Sequence, residues 1–122
     1  MTMNPHTASL FEVARRAVDI ADPDDEDPRL ADLLVQLEDE DEPVTSVENL
    51  DERVAIAVEG ADVDIDDPAV SMAAALILYL AHRRDELNDD PAKVLRLAAR
   101  AEWKGDPPEV VADWLADRGV KV

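Results

Sequence analysis

Residues 68–88 read PAVSMAAALILYLAHRRDELN, and the fold is decided there. From Ala69 to Ala81 every residue except Ser71 is apolar, a run too short for the roughly 18 to 20 residues that cross a bilayer. An apolar run of helix length with no polar face is a helix covered on several sides by its neighbours. Polarity returns abruptly at His82-Arg83-Arg84-Asp85-Glu86. The stretch thus predicts a central helix over 68–88, around which the rest of the chain must pack.

Outward from it, the punctuation is regular. Asp-Pro occurs five times, at 22–23, 27–28, 67–68, 90–91 and 106–107. An aspartate caps free helix N–H groups, and a proline in the first turn loses no hydrogen bond, so each pair is a candidate helix start. The three glycines, Gly60, Gly105 and Gly119, each follow an apolar-periodic segment, where a left-handed residue closes a helix. These marks predict six helices, over 7–21, 28–38, 46–59, 68–88, 91–104 and 107–118.

Helical spacing supports them. Leu10, Phe11, Val13, Ala14, Ala17, Val18 and Ala21 form one stripe; Val47, Leu50, Val54, Ala57 and Val58 form another. Residues 107–118 carry a narrow stripe of Val110, Val111, Trp114 and Leu115 opposite acids, which suits a helix that caps a core. Val63 and Ile65 alternate with aspartates over only six residues, and read as a loop. Acidic connectors near 22–27 and 38–45 read as solvated. The expected fold is all-α: one domain over 1–122, an irregular bundle of five to six helices around a buried central helix.

The chain of 122 residues carries 30 Asp and Glu against 12 Lys and Arg, a formal charge of −18, with 47% hydrophobic residues and no cysteine. Normal apolar content argues against disorder despite the charge. Missing cysteine removes disulfides, thiolate nucleophiles and Cys-based metal or iron–sulfur sites. Two carboxylates about 7 Å apart repel by roughly 0.6 kcal/mol in water, and molar salt, with a Debye length near 3 Å, largely erases this. Asp (19) exceeds Glu (11), Arg (9) exceeds Lys (3), and only four aromatic residues occur. This composition resembles that of cytoplasmic proteins from salt-accumulating extreme halophiles, so a halophilic, cytoplasmic protein without membrane association is expected.

Charge is uneven, and that is the clearest functional hint. Residues 1–80 hold 21 acids and four bases, whereas residues 81–122 hold nine acids and eight bases. Within the second part Lys93, Arg96, Arg100 and Lys104 are spaced three, four and four, one line along one helix, with Trp103 beside it. Val94, Leu97, Ala98 and Ala101 occupy the adjacent face. The bland alternative is a salt-bridged surface with aliphatic stems lying over the bundle. The functional one is a docking face for an acidic protein, for a second copy of the chain, or for a phosphate backbone. Trp114 reads as core, and Trp103 as core or interface anchor.

Ala101, Gly105, Val111 and Trp114 partly match the spacing of a helix-turn-helix. Asp106 and Pro107-Pro108 interrupt the pattern, and Glu109, Asp113 and Asp117 would repel a duplex. A nucleic-acid regulator using 91–118 is therefore the second reading. Four phosphate contacts imply a salt slope near −3.6, too steep to hold nucleic acid by charge alone in molar salt. His82 stands near Asp85 and Glu86, but one histidine beside two arginines is a weak metal signal, and His6 lies in a terminal arm. Asp22, Asp24, Asp25 and Asp27 lack the turn glycine and closing glutamate of a calcium loop. No nucleophile elbow or phosphate loop is present. The expectation is a non-enzymatic binding protein without metal or cofactor.

Overall fold

The computed structural model describes residues 9–40, 42–43, 47–64, 66–83 and 89–120. Six helices follow in order: α1 Leu10–Ala21, α2 Pro28–Gln36, α3 Leu50–Gly60, α4 Pro68–His82, α5 Pro91–Trp103 and α6 Glu109–Asp117. Among the described residues no strand occurs, and Ser9 and Pro43 form an isolated antiparallel bridge. The fold is all-α, and α4 packs against each of the other five helices. Its Val70, Met72, Ala73, Leu76, Ile77 and Leu80 are fully buried. Burying a side chain of this size is worth about 1.5–3 kcal/mol, so α4 is the element on which the core depends.

Three of the five Asp-Pro pairs start helices. Asp27 accepts from the Arg29 amide at 3.0 Å, Asp67 from Ala69 and Val70 at 3.0 and 3.4 Å, and Asp90 from Lys93 at 3.2 Å. The other two do different work. Asp22 ends α1, and its carboxylate accepts the amides of Glu26 and Asp27 at 3.1 and 2.9 Å, folding the acidic loop back on itself. Asp106-Pro107 precedes a second proline, which keeps Pro107 out of the helical region, so Pro108 becomes the N-cap and α6 begins at Glu109.

Helix ends also shift. Helix α4 stops at His82, with Arg83 at φ −130°, ψ 58°, so the helix predicted to Asn88 is shorter; residues 84–88 lie outside the described ones, as do Thr7, Ala8, Ser46 and Ile65 of the other predicted segments. At the start of α1, Ser9 and Glu12 form a reciprocal capping box with both bonds at 3.1 Å. The connector after α2 completes that end: the carbonyls of Glu42 and Glu40 accept the Leu10 and Phe11 amides at 3.1 Å. This acidic connector is thus partly structural.

Gly119, at φ +74°, closes α6. Its amide donates to Ala116 and that of Val120 to Leu115, both at 2.9 Å, with Val120 buried: a Schellman closure. Gly60 does not have that role. It is the last helical residue of α3, and Asp62, at φ 57°, supplies the left-handed turn. On α6 the buried residues are Val111 and Leu115, whereas Val110 is 52% exposed, against the wider stripe expected.

Candidate functional site: the outward face of α5

Helix α5 is anchored by Val94, Leu95, Ala98 and Ala99, all buried. The expected apolar face of Val94, Leu97, Ala98 and Ala101 is therefore rotated: Leu97 is half-buried and Ala101 exposed. The rotation has a direct effect on the basic residues. At 3.6 residues per turn, Lys93, Arg96 and Arg100 centre roughly 160° from the buried stripe. All three are exposed, so their stems do not lie over the bundle.

Lys93 pairs with Asp89 one turn before it, Nζ to Oδ2 at 3.1 Å. Arg96 and Arg100 make no ion pair with another described residue. Lys104 is also exposed but leaves the line: it is the C-cap, at φ 55°, ψ 35°. Trp103 is half-buried and packs against the core cluster. The structure thus brings Lys93, Arg96 and Arg100 together on one face, with Trp103 and Lys104 at its C-terminal edge.

Four other arginines are engaged. The Arg29 guanidinium bridges Asp27, at 3.0 Å, and Asp67, so one side chain joins the N-caps of α2 and α4. Burial of Asp27 opposes its ionisation, yet the hydrogen bonds and charge of Arg29 outweigh this and hold its carboxyl below the ordinary value. Arg53 joins Glu40 and Glu42, tying α3 to the connector that caps α1. Arg16 donates to the Asp89 carbonyl at 3.4 Å. Arg118 lies 3.6 Å from the Trp114 ring centroid and donates to the Trp114 carbonyl at 3.2 Å. That cation–π contact covers a ring which is half-buried on the core rather than fully inside it. Arg15 and Arg83, like Arg96 and Arg100, lack an ion pair among the described residues.

On the side of α5 turned away from Arg96 and Arg100, a groove of about 270 Å³ runs between α4 and α5, lined among others by Leu78, Tyr79, Ala98, Ala101, His82, Arg83 and Glu102. A larger one, about 430 Å³ between α1 and α2, is edged by four carboxylates and Arg15. No group of three or more metal-ligating side chains occurs among the described residues, and none of their helices is long and apolar enough to cross a membrane. Helices α5 and α6 share little direct contact, since α6 rests on α4; the two do not form the packed pair of a helix-turn-helix.

Sequence reasoning missed the α4 side of this groove. Its signal was present: Ser71, Ala74, Leu78 and His82 follow helical spacing and are not fully buried, whereas the rest of α4, Tyr79 and the first-turn proline apart, is. Fold and site together define a small all-α bundle with a cationic outward helix face. Compared with known protein families, with curated proteins and with solved structures, the chain matches none.

Proposed function

We propose that this domain is a non-catalytic binding module that docks a protein partner with an acidic surface through Lys93, Arg96 and Arg100, flanked by Trp103 and Lys104. One observation carries the reading. In a chain with 30 acidic side chains, Arg96 and Arg100 face solvent and pair with no carboxylate among the described residues, while Arg29 and Arg53 each hold two. Two outward guanidiniums on one helix offer planar, fork-shaped donors to carboxylates. A second copy of this chain, itself strongly acidic over residues 1–80, is one form such a partner takes.

The test is binding of a fluorescent Glu-rich peptide, with a DNA duplex and a single-stranded RNA as competitors, in the lowest KCl that keeps a native circular-dichroism spectrum. Exposed ion pairs are worth about 0.2–1 kcal/mol each, so Arg96→Glu with Arg100→Glu should weaken peptide binding roughly tenfold or more without unfolding the protein. Unchanged binding by the reversed variant, or binding of nucleic acid in preference to the peptide, would refute the proposal. Sedimentation of the protein alone distinguishes self-association from docking of another protein.

A further inference from the structure

We infer that the outward face of α5 docks into the groove between α1 and α2 of a second copy of this chain. The inference rests on the docking role of α5 proposed above, and names both the partner and the surface it offers. The apolar part of that groove is formed by Phe11, Leu34 and Val35, and Val35 is one of three large apolar side chains more than half exposed among the described residues. Asp19, Asp22, Asp25 and Glu38 edge it against a single cation, Arg15. Acid alone selects nothing in a chain of charge −18. An acidic edge around exposed apolar side chains selects a cationic face with apolar flanks.

Helix α5 presents such a face. Lys93, Arg96 and Arg100 are exposed in one row, and the half-buried Leu97 and Trp103 flank it at about 60° to either side. At 1.5 Å of rise per residue the row is about 10 Å long and the α1 wall from Phe11 to Asp22 about 16 Å, so the groove accommodates the row. Arg96 and Arg100 stand one helical turn apart, as do Asp19 and Asp22. Within one molecule the two surfaces do not meet, because the row points away from the bundle to which α1 and α2 belong. The pairing is therefore made between copies. It joins two different patches, so a pair still has one face and one groove free, and assembly runs head to tail.

Net charge opposes the encounter, since two copies of charge −18 repel each other. At 1 M salt that repulsion reaches only about 3 Å, while partly buried contact pairs are screened much less, so the test is run in about 1 M KCl. Two half-blocked variants are made. Arg96→Glu with Arg100→Glu disables the face and keeps the groove; Asp19→Lys with Glu38→Lys, both at exposed positions, disables the groove and keeps the face. Circular dichroism checks that both fold. In sedimentation velocity up to about 1 mM protein, wild type should self-associate and each variant alone should do so at least tenfold more weakly. An equimolar mixture of the two should recover the complex, because an intact face then meets an intact groove.

A mixture that stays monomeric overturns the inference, as does an association that the groove variant leaves unchanged. A monomeric wild type whose groove instead takes a lysine-rich amphipathic peptide assigns the groove to another chain, and also overturns it. If wild type is monomeric while the Glu-rich peptide still binds through Arg96 and Arg100, this inference falls and the docking reading stands. If neither associates, both fall.

Discussion

Replacing Arg29 by methionine keeps most of the aliphatic stem and removes the charge that joins Asp27 to Asp67. Both carboxylates keep their bonds to helix amides, so the N-caps survive and the change isolates the bridge. The Arg29 side chain is 49% exposed, while those of Asp27 and Asp67 are 18% and 17% exposed. Ion pairs with one partner half in solvent are worth about 0.2–1 kcal/mol each, and removing the cation also leaves two carboxylates facing each other. The expected loss at pH 7 is about 1 kcal/mol, or roughly 3–6 °C in Tm for a chain of this length.

The pH dependence follows from Asp27. Its carboxyl titrates below the ordinary value in the folded protein. The bridge therefore contributes fully above the unfolded-state pKa of about 3.9, and the contribution is lost as pH falls through the lower folded-state value. Urea unfolding followed by the fluorescence of Trp103 and Trp114, at fixed KCl, should show wild type and Arg29→Met converging as the pH drops below 4. A deficit that stays constant from pH 7 to pH 2.5 would refute the electrostatic account, as would a loss below 0.2 kcal/mol at pH 7.

Leu76, fully buried on α4, should cost about 2.7–5 kcal/mol when replaced by alanine, and a cost under 1 kcal/mol in urea unfolding would show that α4 is not the centre of the core. Gly60→Ala should stabilise by about 0.5 kcal/mol. A glycine inside a helix costs about 0.8–1 kcal/mol relative to alanine, less at the last position that Gly60 holds, and the nearest atoms the new methyl meets belong to the exposed Gln36 side chain, which can swing away; a lower Tm would show that it cannot. Finally, with a formal charge of −18, the unfolding midpoint should rise towards molar KCl, and a midpoint independent of salt would contradict the screening argument.

The helices were legible wherever a cap and an apolar stripe coincided, as at Asp27-Pro28, Asp67-Pro68 and Asp90-Pro91. The same dipeptide misled at Asp106-Pro107, where the conformational demand of Pro108 on its neighbour decides the outcome. The facing of α5 was not legible, because Val94 and Ala98 belong equally to a stripe with Leu97 and Ala101 or to one with Leu95 and Ala99. The position of α4 selects the second, and thereby turns Arg96 and Arg100 outward. Bridges such as Arg29 to Asp67 and Arg53 to Glu40 span distances along the chain over which no spacing rule operates. Among so many acids, the choice of partner is made by the packing of the helices that carry them.

The place of α4 in the order of synthesis has a consequence for how the chain reaches its fold. Helices α1, α2 and α3 contact one another only partly and share α4 as their common partner. Until residue 82 has left the ribosome, the first three helices can close only on one another, without the helix that covers α1 most extensively, and 21 of the 30 carboxylates have already been made. Their mutual repulsion then works as a solubilising device for the nascent chain, holding apolar stripes apart until the uncharged helix arrives to gather them.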